Sequence, residues 1–219
     1  HYLELVRPDC REAVARFYGR QFVRKRGSSY LEFPAVAGDG TEVWFGQKAQ
    51  LLIENEKVVG FEAVARDITE RKQAEEAFRL AEEKYRSIFE NAVEGIFQTT
   101  PDGHYISANP ALARIYGYPS PRDMVEAVMD IRRQVYVDPD RRSEFTRMLE
   151  AHDAVTGFEA QVYRKDGSVI WVSESARAVR DPQGALLRYE GTVEDITERK
   201  QLVQQLIQSQ KMEAIGRLA

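Results

Sequence analysis

The sequence predicts an α+β fold built as two copies of one module, the first holding only its C-terminal half. Three observations predict it. The segment Asp67-Ile68-Thr69-Glu70-Arg71-Lys72-Gln73 recurs as Asp195-Ile196-Thr197-Glu198-Arg199-Lys200-Gln201, each copy standing where a β-branched run gives way to a charged helical run. Three strand candidates separated by turn signals precede each copy. Ahead of the second set lies a further block of two strands, short helices and one longer helix. Neither copy of the segment is low in complexity, so composition bias does not explain the identity.

The alignment extends well upstream. Asp39-Gly40 and Trp44 correspond to Asp166-Gly167 and Trp171 at one constant offset, and Asp67 and Asp195 depart from it by a single residue. The slip falls where Glu54-Asn55-Glu56-Lys57 stands against Arg180-Asp181-Pro182-Gln183-Gly184. Insertions belong in turns, so the pattern behaves as a structural repeat.

In the second copy, residues 94–100 read as a strand, Pro101-Asp102-Gly103 as a turn and 104–108 as a second strand. Asn109 is placed to cap a short helix with Pro110 at its start, running through Ala111, Leu112, Ile115 and Tyr116 to Gly117. A longer helix is predicted over 139–150, with Phe145, Met148 and Leu149 on its apolar side. Strands follow at 156–163, 168–179 and 186–194. Asp166-Gly167 marks a hairpin between the first two, and Asp181-Pro182-Gln183-Gly184 separates the last two. Val169, Trp171 and Ser173 alternate with Ile170, Val172 and Glu174, as in a meander with at least one buried face. This order makes a domain of about 100 residues.

The first copy lacks part of this set. Pro8-Asp9 matches Pro139-Asp140, so residue 1 corresponds to a point late in the second module. A three-stranded half-sheet leaves apolar surface uncovered, at about 25 cal/mol per Å². The missing half is expected upstream in a longer protein; otherwise another chain or the second module covers that face. The start at His1 and the end inside a helical pattern at Leu218-Ala219 also read as cuts.

Asn109-Pro110-Ala111, Gly117-Tyr118, Lys165-Asp166-Gly167, Trp171 and the closing Asp-Ile-Thr-Glu-Arg, in this order, resemble the PAS sensor family with its C-terminal motif. The resemblance is complete over residues 81–200 and partial over 1–72. It implies a five-stranded antiparallel sheet with helices on one face and a small pocket between them. The expected organisation is a C-terminal part of a first PAS domain at 1–69, a linker helix at 70–88, a complete PAS domain at 89–197 and an output helix at 198–219.

Each repeated segment has a physical reading. Asp67 and Asp195 end a strand with an acceptor side chain, and Thr69 and Thr197 are placed to cap the following helix. Arg71 and Arg199, four residues past each aspartate, are within reach of a charge-assisted pair with it. Such a junction couples sheet geometry to the direction of the outgoing helix, and the family resemblance favours this over an ordinary cap.

The linkers carry apolar stripes. Ala74, Phe78, Ala81, Tyr85 and Ile88 recur at steps of four and three among charged residues, as in a two-stranded coiled coil. The alternative is an amphipathic helix folded onto its own domain. PAS linkers of this kind imply a parallel homodimer. The second linker carries Leu202 and Leu206, breaks register around Gln208-Ser209-Gln210, then resumes at Met212, Ile215 and Leu218. Residues 210–219 resemble the start of the dimerisation helix of sensor histidine kinases, where the phosphoacceptor histidine follows a few residues later. On that likeness the chain is the input region of a two-component kinase. The kinase core lies in the same parent chain, a response regulator is reached only indirectly, and this piece has no kinase activity of its own.

Phe97, Ile115, Tyr116, Phe158, Trp171 and Val193 are expected around the pocket, most of them as plain core. A small organic ligand and an empty module both fit. Haem-binding PAS domains use an axial histidine on the long helix. His152 lies at or beyond that helix's end beside Asp153 and reads as solvent-facing, His104 reads as exposed after a turn, and His1 is terminal, so haem has weak support. Light-reactive flavin needs a cysteine in a short helix ahead of the long one. Cys10 stands beside the long-helix match and the second copy has no cysteine, so that chemistry is not expected.

Composition narrows the class. Of 219 residues, 43% are hydrophobic and 30% charged with mixed sign, and the net charge of −4 argues against a general nucleic-acid surface. The basic cluster from Arg20 to Arg26 is interrupted by Phe22 and Val23 and reads as a solvated face. One cysteine excludes an intrachain disulfide and a Cys-rich metal site and fits a reducing, cytoplasmic compartment. No apolar run approaches the roughly 18 residues that span a bilayer, although a membrane segment elsewhere in the parent stays open. No phosphate loop, catalytic triad or paired carboxylates stand out; Asp138, Asp140 and Asp153 read as caps and loop charges, not metal ligands. The alternatives to kinase input are a non-enzymatic PAS interaction module and input to a cyclic-nucleotide or cyclic-dinucleotide enzyme.

Overall fold

Antiparallel sheets organise both halves of the chain. A computed structural model describes residues 2–55 and 57–216, divided into two units, His1–Glu83 and Lys84–Ala219. In the first unit, α1 (Tyr2–Leu5), a 3-10 turn (Pro8–Cys10) and α2 (Arg11–Val23) precede β1 (Ser28–Val36), β2 (Glu42–Glu54) and β3 (Lys57–Asp67), which form a sheet in the order β1-β2-β3. Val14 and Tyr18 of α2 pack with Val6, Phe33 and Ala49. This helix covers the apolar face over β1 and β2, so half a module still holds a small core. Strand β3 is barer: Phe61 touches the Tyr18 ring edge-on at 5.7 Å yet remains 46% exposed.

Helix α3 (Thr69–Asn91) leads out of β3. In the second unit follow β4 (Gly95–Thr99), β5 (Tyr105–Ala108), α4 (Pro110–Ile115), α5 (Pro121–Ala127), α6 (Ile131–Gln134) and α7 (Pro139–His152). They are succeeded by β6 (Ala154–Tyr163), β7 (Val169–Arg180), β8 (Leu186–Asp195) and α8 (Thr197–Gly216). The five strands form one antiparallel sheet, β5-β4-β8-β7-β6. Elements expected from the sequence start and stop within two residues of their predicted positions. Helices α5 and α6 are additions, too short to show a period. Their signal was in the caps: Ser120 Oγ accepts from the Asp123 N–H before Pro121, and Asp130 Oδ1 accepts from the Arg133 N–H.

Asn109 explains the layout around β4. Its Oδ1 accepts from the N–H groups of Leu112, at 2.9 Å, and Ile96, at 2.8 Å, while Nδ2 donates to the Glu94 carbonyl. One buried side chain therefore caps α4 and ties it to β4. Gly95 makes the approach feasible, because a Cβ there would stand 2.9 Å from Leu112 Cα. Asp138 caps α7 through the Asp140 N–H, and Asp153 ends it in a left-handed conformation at φ +58°. The core lies between the helices and one sheet face, around Phe97, Leu112, Tyr116, Phe145, Leu149 and Val172.

The two sheets share one register. Phe45 stands opposite Asp67 as Val172 stands opposite Asp195, and Leu51 opposite Phe61 as Ala178 opposite Tyr189. The hairpin turns match as well. Asp39 Oδ1 accepts from the Thr41 N–H with Gly40 at φ +87°, and Asp166 Oδ1 accepts from the Ser168 N–H with Gly167 at φ +82°.

Candidate functional site

The strand-to-helix joint after β8 is a clamp on the outer face of the sheet. Asp195 Oδ1 accepts from the Thr197 N–H at 2.9 Å, so the aspartate supplies the first helical N–H with an acceptor. Thr197 is turned sideways, its Oγ1 accepting from the Trp171 N–H on β7 at 3.0 Å. The Ile196 N–H donates to the Trp171 carbonyl at 2.9 Å. One turn on, Arg199 reaches Glu159 of β6 at 3.1 Å and Lys200 bonds the other carboxylate oxygen of Glu159. Lys200 Nζ also lies 5.0 Å from the centre of the Trp171 ring. Three strands and one helix turn are thereby joined.

The joint after β3 repeats this geometry. Asp67 Oδ1 accepts from the Thr69 N–H at 2.8 Å, and Thr69 Oγ1 accepts from the Trp44 N–H at 2.9 Å. Arg71 and Lys72 hold the two oxygens of Glu32 at 2.7 and 2.6 Å, and Lys72 stands 5.3 Å from the Trp44 ring centre. Glu32 and Glu159 share the offset of Asp39 and Asp166, so they are equivalent residues of the repeat. Neither was singled out from the sequence. One difference separates the joints. Arg164 binds Asp195 Oδ2 at 2.9 Å, whereas Ala37 occupies the place of Arg164 in the first copy.

Two expectations are corrected. The arginines do not pair with the aspartates four residues before them, because each aspartate lies on a strand end and is engaged by threonine. The i,i+4 geometry exists only when both residues share a helix. Arg71 instead pairs with Glu32 and with Glu75, at 2.6 Å, and Arg199 with Glu159. Nor do Thr69 and Thr197 cap their helices; they anchor to the neighbouring strand.

The clamps set the charge state of their acids. Hydrogen bonding to Lys72, then to Arg71, holds the Glu32 carboxyl down at about 2 against partial desolvation. Lys200, with Arg199 behind it, lowers Glu159 in the same way. Hydrogen bonds from Thr69 lower Asp67.

Of the residues expected around a pocket, Phe97, Tyr116, Phe158 and Val193 are buried in the core, with Ile115 packed against them. Trp171 is not among them. Ile170, Val172, Glu174 and Ala176 point inward, so Trp171 falls on the outer face, where it meets Lys200. The interior carries a polar group that was not foreseen. Glu174 is 3% exposed and accepts from Tyr136 Oη at 2.5 Å. Arg142, also buried, lies 5.8 Å from the Tyr136 ring centre. Burial pushes Glu174 up, opposed by the Arg142 charge and the Tyr136 hydrogen bond. On the opposite sheet face, a groove of about 500 Å³ is lined by Tyr85, Phe89, Ile96, Ser175 and Thr192.

The remaining candidates are peripheral. His152 is the exposed last residue of α7, and His104 is half-exposed with Nδ1 2.9 Å from Asp102. Cys10 is half-buried in the first unit, and His1 lies outside the described residues. No cluster with metal-ligand composition occurs among the described residues. Phe78, Tyr85, Ile88, Leu202 and Leu206 are all exposed. Residues 217–219, with Leu218, and the side chain of Ile215 lie outside the described part. Among described residues, no helix is long and apolar enough to cross a membrane.

A five-stranded antiparallel sheet with helices between its second and third strands, closed by a clamped exit helix, defines a sensory α+β module. Residues 93–198 match the family model described as PAS domain. Through this second module the chain belongs to the PAS family. It is similar to the sensor histidine kinase TmoS of Ectopseudomonas mendocina, 28% identical over 158 residues, covering 67% of this chain and 16% of the relative. Sporulation kinase E of Bacillus subtilis is 30% identical over 98 residues, 44% of this chain and 13% of the relative. Sporulation kinase C of the same species is 27% identical over 150 residues, 64% and 34% of the respective chains. The chain thus spans a minor part of these relatives' lengths. Among solved structures, an RNA-binding Light-Oxygen-Voltage receptor aligns at 17% identity and TM-score 0.47, covering 96% of this chain and 89% of that one. The PAS domain of an HTR-like protein from Haloarcula marismortui aligns at 20% and 0.47, covering 57% and 99%. The chain carries a PAS sensory input module homologous to parts of sensor histidine kinases.

Proposed function

We propose that the chain is the input region of a two-component sensor histidine kinase, in which the joint from Asp195 to Lys200 transmits the state of the PAS domain to α8. The carrying observation is the duplicated clamp. Two joints built from the same residues each launch a helix with exposed apolar positions, Phe78, Tyr85 and Ile88 on one and Leu202 and Leu206 on the other. Residues 1–69 are the C-terminal part of a first PAS copy, and the helices pair in a cytoplasmic homodimer. The kinase core belongs to the parent chain, which addresses the response regulator, while this piece is not itself an enzyme. The sensing element is the interior of the second module, where Glu174, Tyr136 and Arg142 respond to a small, colourless organic ligand or to packing alone.

Sequencing of the parent gene past residue 219 tests the output class. A histidine followed by Asp or Glu within about 20 residues, at helical register with Leu206 and Met212, supports kinase output. ATP-dependent phosphorylation of that histidine in the parent protein completes the test. A parent without that histidine contradicts the assignment.

A further inference from the structure

The first module ends in an open edge that the second module fills. Strand β8 has β7 on one side and β4 on the other, with Gly95 opposite Val193 and Thr99 opposite Tyr189. Strand β3 has β2 on one side, and among the described residues no strand on the other. Counted from the shared aspartates, Phe61 and Ala65 take the places of Tyr189 and Val193. Tyr189 and Val193 are each 1% exposed, whereas Phe61 is 46% exposed and Ala65 is bare.

Edge strands are ordinarily blunted by proline, lysine, bulges or a covering element. From Gly60 to Ala65 the edge carries a single charge, Glu62, and no proline; its register irregularity lies further back, opposite Leu52 and Ile53. An apolar, unblunted edge is a template for strand addition. A second copy paired edge to edge would satisfy the backbone but bring a second bare face, so it leaves the apolar surface uncovered. A strand followed by a helix, as in β4 and α4, solves both problems.

We propose that the β3 edge is the docking site of a strand–turn–strand–helix segment of the parent polypeptide N-terminal to residue 1. Its first strand pairs antiparallel with residues 61–65 and its helix covers Phe61. This rests on reading residues 1–69 as part of a first PAS copy. The repeat sets the distance. Gly95 lies 44 positions ahead of Pro139, and Pro8 takes the place of Pro139. The docking strand therefore starts about 36 positions before residue 1, with a capping asparagine equivalent to Asn109 about 22 positions before it.

Hydrogen exchange read by mass spectrometry tests this in residues 1–219 and in the chain extended by about 45 preceding residues of the parent. In the extended chain, amides of 57–67 are expected to slow about tenfold or more, independently of concentration, while those of β8 stay unchanged as a folding control. Ala65→Glu in the extended chain should restore fast exchange, since Ala65 is bare without the segment and buried with it. Equal exchange of β3 in both chains overturns the docking. Protection in 1–219 that grows with concentration overturns it in favour of a second copy. If exchange is equal but the upstream sequence holds the strand and the asparagine, only the docking fails. Their absence from the upstream sequence sinks both the docking and the first-copy reading.

Discussion

Glu32 and Glu159 hold the two joints together, although neither lies in the repeated segment. Each carboxylate is shared by an arginine and a lysine from the first turn of the outgoing helix. Both acids are held below the ordinary glutamate value, so their contribution to stability is complete above about 4.5 and is lost as pH falls toward about 2. Urea midpoints should therefore fall more steeply across that window in the wild type than in the Glu32→Gln, Glu159→Gln double variant. Parallel profiles would refute the clamp. Inside the second module, Tyr136→Phe removes the donor to buried Glu174 and should cost about 1–3 kcal/mol, with an unchanged urea midpoint as the contrary result. The aspartates, threonines and arginines were legible because the segment is repeated letter for letter. Glu32 and Glu159 were not, since a strand glutamate resembles any solvent-facing charge. Their shared offset with Asp39 and Asp166 was the available signal. Trp171 was misplaced because both alternating sets of β7 contain apolar residues, leaving the buried face undecided.

Helices α3 and α8 leave their joints with apolar side chains in solvent. Phe78 is 73% exposed and Leu206 59%, which an isolated helix does not favour and a helix partner relieves. Phe78→Glu or Leu206→Glu should raise the monomer fraction in sedimentation velocity; two variants that sediment as the wild type would remove the paired-helix reading. Most elements were legible because long strands alternate and α7 shows a helical period. The caps at Asn109 and Asp138 also fall where the sequence placed them. Helices α5 and α6 escaped because a helix of seven residues or fewer completes at most two turns. The tie between Asn109 and β4 was invisible too, being a long-range hydrogen bond that local pattern does not encode.

Across the whole chain, two joints stand in series and differ in their support. The second follows a complete five-stranded module and has Arg164 on its aspartate; the first follows a three-stranded sheet and has Ala37 in that place. The second joint is therefore where a change in the sheet has most grip on an outgoing helix. The α+β class, the duplication and the incomplete first copy were readable from the repeat alone. The covering of β1 and β2 by α2 was not, since it depends on how far a half-sheet can bury itself against its own helix. The direct test of transmission fuses residues 1–219, in helical register through α8, to a histidine kinase core and measures autophosphorylation. Glu159→Lys breaks both the Arg199 and Lys200 contacts at a half-exposed site. It should change the rate by between about 5- and 150-fold, with the circular dichroism and urea midpoint of the PAS module retained. A fusion that keeps its fold and its rate with the clamp broken would contradict coupling through this joint.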